Sequence, residues 1–229
     1  MEHPLLLLQL FFDSVGLGEF AHHYPNVIYS WLVMLVLLIL AKLGASSIKM
    51  IPSGGQNFFE VLIGGYEDFM VDVMGEEGRP YFPLIFTLFF YILCMNWLGL
   101  IPGMFSPTAN INTPLAMALV VFVATHIVGV KVHKMKYVKH FMGPVAALAP
   151  LMIPIEIIGH CARVLSLTFR LFGNILGEDL VLAILMFLAG LYLAPLPMMF
   201  LAIFTSFVQA FIFSLLTMLY ISAALEEAH

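Results

Sequence analysis

Basic residues are scarce in this chain and unevenly spread. Of 229 residues only nine are Lys or Arg, against fourteen Asp or Glu, and all nine fall between Lys42 and Arg170. A net charge of −5 removes the electrostatic footprint of a nucleic-acid binder. Charged residues of both signs make up 10% of the chain, where soluble domains average about 25%. With 62% hydrophobic residues and a mean hydropathy of +1.03, the composition is that of an integral membrane protein. Cysteine is nearly absent. Cys94 and Cys161 both lie in apolar runs, which argues against a disulfide framework or a zinc knuckle and for packing residues. The opening MEHPLLLLQLFF lacks a basic n-region, so no cleavable signal peptide is expected. Walker A, GxSxG and HExxH patterns are missing, as is any internal repeat. The chain therefore reads as a non-enzyme with no cofactor and no metal.

The few basic residues orient the chain. By the positive-inside rule, segments 42–79 and 131–139 face the cytoplasm. Their alternation with apolar runs predicts five membrane crossings, with the N-terminus outside and the C-terminus in the cytoplasm. The expected fold is all-α and integral to the membrane, with an outer N-terminal segment at 1–25 and a single membrane domain at 26–229. The leader ends in His22 and His23, which have no third metal ligand nearby. The first span is 26–43, running from outside to inside. At 56–75, Phe59, Leu62, Ile63, Tyr66, Phe69, Met70 and Val73 recur at helical spacing, with Glu60, Glu67, Asp68 and Asp72 on another face. This segment is expected to be amphipathic and to lie on the membrane surface, its acidic face suited to a neighbouring protein subunit.

The second span, 82–100, ends near Asn96 and Trp97, and a Pro- and Asn-rich outer turn follows at 101–112. Thr113-Pro114 predicts a helix start with Thr as N-cap and Pro at the first helical position. The third span is 114–130, and its His126 reads as a satisfied packing residue, with a channel residue as the alternative. Two over-long regions follow, at 145–192 and 196–226. Pro144, Pro150 and Pro154 are expected to break or kink the start of the first. Each exceeds a hydrocarbon core of about 30 Å at 1.5 Å per helical residue, so both should be strongly tilted against a curved partner.

The first of these regions carries the polar residues of most interest. Glu156, His160, Arg163, Ser166, Arg170, Asn174 and Glu178 follow one another at steps of three or four. On a helix that spacing draws one polar row down an apolar cylinder. An arginine near the bilayer centre costs at least ~2.5–3.5 kcal/mol, which points to function. A guanidinium keeps its proton at every accessible pH, so Arg170 suits a fixed positive charge better than a proton carrier. The row reads as an ion path with an electrostatic gate. The plainer alternative is that Arg170 snorkels or pairs with a structural carboxylate of the same chain. A small secondary antiporter using Arg170 as counter-ion would show inverted repeats, which are not found. A metal or haem enzyme would need clustered histidines, whereas His126 and His160 are scattered.

The residues that surround the row carry a resemblance. SLTFRLFGNILGEDL (166–180), MNWLGLIPG (95–103), SPTANINTPLAMAL (106–119) and VQAFIFSLLTMLYISAALEE (208–227) resemble subunit a of the F-type ATP synthase membrane sector. The resemblance is strong over roughly residues 80–229 and looser before them. It implies a proton-translocating stator subunit of a rotary ATP synthase in a bacterial inner membrane. Its implied partners are the c-ring, b-type peripheral stalk subunits, the rest of the complex and the lipid bilayer. Arg170 matches the family's essential arginine, between two offset half-channels that lead to the ring's carboxylates. By similarity, Asn174 and Gln209 flank Arg170, with Gln209 expected to hydrogen-bond near it. Glu178 or Asp179 would serve the outer half-channel, with Asn96 contributing, while Ser166, Glu156 and His160 would line the inner one. Two departures stand out. Many relatives carry Glu where this chain has Asp179, and the His that some place on the last helix is missing between Pro195 and Leu225.

Overall fold

The structure, a computed structural model, describes residues 19, 23–45, 54–101, 103–134, 149–189 and 195–226. Most of the 1–25 leader including His22, the break before residue 54, Pro144, the basic run beyond Lys134 and the last three residues lie outside that set. Six α-helices make up the described chain: α1 Pro25–Ala45, α2 Gly55–Met74, α3 Phe82–Leu98, α4 Asn112–His133, α5 Ala149–Ala189 and α6 Pro195–Leu225. Short 3-10 turns occupy Glu76–Tyr81 and Pro107–Ala109. Five helices are long and apolar enough to cross a membrane, namely α1, α3 with the 3-10 turn before it, α4, α5 and α6.

Proline sets several of the starts. Pro25 and Pro195 open α1 and α6, Pro83 lies in the first turn of α3, and Pro150 is the second residue of α5. Each occupies a position whose N–H has no intrahelical partner to lose. One sequence expectation is corrected here. α4 begins at Asn112 with Ile111 as its N-cap, not at Pro114 with Thr113 as N-cap; Asn110 Oδ1 accepts from the Asn112 N–H at 3.1 Å and Asn110 O from the Thr113 N–H at 3.1 Å. Pro154 lies inside α5, which continues through it. Only its own N–H bond to residue 150 is lost, in the opening turns where both prolines are exposed.

α5 has 41 residues and α6 has 31, about 60 Å and 46 Å of helix against a hydrocarbon core of about 30 Å. α6 is the hub and lies against α2, α3, α4 and α5. Along it Ala202, Ser206, Ala210 and Ser214, each four residues after the last, are all buried. Such a small-residue row lets neighbouring backbones approach closely. The main core joins Phe89 and Ile92 of α3, Val121 of α4, Leu167 and Leu171 of α5, and Phe213 of α6. A second cluster packs Met70 and Met74 of α2 on Ile85, Val128, Met218 and Ile221. The apolar side of α2 is thus seated on the bundle, while Phe58 and Val61 stay exposed. Arg79 in the following 3-10 turn pairs with Glu76 at 3.0 Å and Glu67 at 3.5 Å, tying that turn back to α2.

The loop between α3 and α4 folds onto the end of the bundle. Gly99 permits this, since a Cβ there would lie 2.6 Å from Ser106 Cβ. At the opposite end α4 finishes with Lys131 and His133, followed by Lys134. These are called the loop end and the basic end below.

Candidate functional site

α5 packs through one narrow row, Leu167, Thr168, Leu171, Ile175 and Leu182. Its other flank is open, with Ile158, Leu165, Phe169, Ile184, Phe187 and Leu188 all exposed. The polar residues run along the border between the two. At 3.6 residues per turn a single step in sequence turns the helix by about 100°. Exposed Arg170 therefore stands beside buried Leu171.

The polar row falls into three groups. In the middle, Arg170 Nη2 donates to Ser166 Oγ at 3.3 Å, one turn away. Among the described residues no carboxylate of this chain pairs with Arg170. Asn174 is exposed on the next turn, and Gln209 is half-buried on α6. No hydrogen bond joins Gln209 to Arg170 among the described residues. Toward the loop end, half-buried Glu178 approaches the Thr205 hydroxyl of α6, and Asp179 sits close enough to Glu178 for their charges to repel. Toward the basic end, His160 Nε2 lies 3.4 Å from Glu156 Oε1. There Arg163 stacks over the Tyr220 ring of α6 at 5.3 Å.

Asn96 stands apart from this row. Its Nδ2 donates to Ser206 O at 3.3 Å, and its Oδ1 accepts from Thr108 Oγ1 at 2.6 Å. Ser106 Oγ adds a 2.9 Å contact with Thr108 Oγ1 and donates to Met95 O at 3.2 Å. This buried network pins the 101–112 loop to α3 and α6.

The basic-end group holds a residue pair that sequence spacing missed. His126 of α4 and His160 of α5 are not scattered: their ring centroids are 4.9 Å apart at 59°. His126 is satisfied on its own helix, where its Nδ1 lies 2.8 Å from Phe122 O. A carbonyl only accepts, so Nδ1 carries the hydrogen. A cavity of about 20 Å³, room for one water, opens between these rings, Arg163, Tyr220 and Thr125. The only signal for this contact in the sequence is that both histidines fall in the half of their helix nearest the basic run. Among the described residues no group of three or more His, Cys, Asp or Glu side chains could hold a metal ion.

A profile of the ATP synthase A chain family matches residues 27–222. The ATP synthase subunit a of Syntrophobacter fumaroxidans is 59% identical over 240 residues, with all of both chains covered. That of Desulfosudis oleivorans is 57% identical over 229 residues, and the ATP synthase subunit a 1 of Pelobacter propionicus is 53% identical over 232, again with full coverage of both chains. An all-helical chain with five crossing-length helices and an arginine row on an over-long one, matched over nearly its whole length, belongs to the ATP synthase A chain family.

Proposed function

We propose that this chain is a non-catalytic, proton-translocating membrane subunit of a rotary ATP synthase, and that its α5 row forms two offset half-channels meeting at Arg170. The observation that carries this reading is the isolation of the Arg170 guanidinium. It is held by Ser166 alone among the described residues, on the open flank of a helix flanked by exposed apolar side chains. A positive charge in that setting calls for a negative partner from another chain. A ring of c subunits, each with a membrane carboxylate, supplies one. Arg170 then favours the ionised carboxylate as it passes and repels a proton crossing directly between the half-channels. Each transferred charge is worth about 2.3 kcal/mol per 100 mV, which rotation delivers to the catalytic head.

In this reading the basic end is cytoplasmic, by the positive-inside rule, and the membrane is a bacterial inner membrane. Glu156, His160 and Ser166 line the inner half-channel. Glu178 and Asp179, with Thr205 beside them, form the outer one. Asn174 and Gln209 flank the gate. Asn96 contributes on the outer side by fixing the loop that covers it. The lengths of α5 and α6 support tilted helices following the curve of a ring, and the acidic face of α2 is available to a b-type stalk subunit.

The test is mild-detergent purification followed by reconstitution in liposomes. Recovery with a ring of two-span subunits and a soluble ATPase head, with ATP-driven acidification of the lumen, is the expected result. Recovery as a lone monomer or homodimer across several detergents would refute the assignment.

A further inference from the structure

We propose that His126 is a further proton-handling residue of this chain, sharing one protonation site with His160 and Glu156 at the entrance to the inner half-channel; this rests on the proton-path reading above. Three observations converge on it. The two rings come from different helices and meet at 4.9 Å between centroids. The Glu156 carboxylate lies 3.4 Å from His160 Nε2, which places a negative charge beside the pair. A cavity large enough for one water borders both rings.

The hydrogen bonding restricts how His126 can act. Its Nδ1–H is engaged by Phe122 O at 2.8 Å, so Nε2 is the atom that takes up and returns a proton. On uptake one N–H bond forms at Nε2 and one O–H bond breaks in the donating hydronium or water. Return reverses both, and the ring is left in its starting tautomer.

Two imidazolium rings this close repel strongly, so the pair takes up one proton at a time. Among the described residues the other charged or titratable groups at this cavity are Arg163 of α5 and Tyr220 of α6. Among the described residues α4 adds none there beyond His126. Glu156 draws a proton to the pair, and the Arg163 charge presses it onward. The site therefore concentrates protons without trapping them.

The experiment is ATP-driven pumping by the whole complex in liposomes, followed against pH on the head side. His126→Gln keeps an amide donor for Phe122 O and removes the imidazole. The expected result is a roughly tenfold slowing with an altered dependence on pH. The slowing falls short of the ~10²–10⁴ typical of a positioned acid–base group, because water still reaches the row. His160→Gln should give the same profile, and the double variant should be no slower than either single, as expected of one shared site. A wild-type profile in assembled His126→Gln complex overturns the proposal, as does an additive loss in the double variant. Failure of both single variants to assemble overturns it too, by making the pair structural. Arg170→Lys in the same liposomes separates the two levels. Lost pumping there beside a wild-type His126→Gln profile sinks this inference alone, whereas normal pumping in Arg170→Lys sinks the proton path with it.

Discussion

At the loop end, between α3 and α6, polar side chains are satisfied by groups of the same chain; along the border row of α5 several are not. Asn96 and Asn174 make the contrast with a single residue type. Asn96 is 2% exposed, with Thr108 and Ser206 O as partners, and it holds a loop in place. Asn174 is exposed on a helix of crossing length, one turn from an arginine whose only partner among the described residues is a serine. Both kinds of polar group are costly in an apolar setting, and the cost is met differently. The first is offset inside the chain, which makes it architecture. The second is exposed, and on the proposed reading it serves ion flow. Loss of the first is therefore expected to harm folding, and loss of the second to harm ion flow.

The largest break in that contrast should come at Arg170. Arg170→Lys keeps one charge but loses the planar, multi-donor fork, and ATP-driven pumping should fall by about 10²-fold or more. The amount of chain in the purified complex should stay at wild type. Glu178→Gln combined with Asp179→Asn should slow proton flow more than either single change, since two adjacent carboxylates can substitute for one another. A double variant with wild-type flow would remove both from the path.

On the architectural side the readout is stability. Asn96→Leu should cost about 1–3 kcal/mol by removing the hydrogen bonds to Ser206 O and from Thr108 Oγ1, visible as a lower melting temperature of the detergent-solubilised complex. Gly99→Ala should cost about as much by forcing the loop off Ser106. Asn174→Ala should leave the melting temperature within error and slow pumping instead. If Asn96→Leu melts normally and Asn174→Ala does not, the division drawn above is inverted.

The smallest effect expected concerns Tyr66, where α2 seats on the bundle. Burial pushes its phenol from 10.0 up to about 12, and the nearby Ser214 hydroxyl offsets only part of that rise. A folded-state value above the unfolded one means the folded chain keeps its proton longer. The corresponding stability is complete below pH ~10 and is lost as pH rises through about 12. Tyr66→Phe should flatten this alkaline slope, a difference of about 2–4 °C in melting temperature between the two proteins at the upper end of the window. Parallel slopes for the two would place the titration elsewhere.

Much of this was legible in residues alone. Each helix came out within a few residues of its expected span, because a run of some twenty apolar residues has few ways to satisfy its backbone in lipid other than as a helix. The over-length of α5 and α6 followed from counting, and the polar row from steps of three and four. The start of α4 was misplaced because the helix begins before the Thr-Pro pair, at Asn112, with no side-chain cap. Asn96 could be flagged as polar in an apolar span, but not as satisfied. Its partner Thr108 sits in a loop whose return path depends on the absence of a Cβ at Gly99.

The sequence by itself determined which segments are helical, where charge is permitted and which residues share one helix face, because all three depend on local spacing and on the energy of a group in lipid. Only the tertiary structure decided which flank of α5 is packed, which asparagine is architectural and that His126 meets His160. Helices that are apolar all round carry no periodicity to mark a buried side. Their partners are chosen by how small rows such as Ala202, Ser206, Ala210 and Ser214 let neighbours approach, a property of whole surfaces in contact and not of any one stretch of chain.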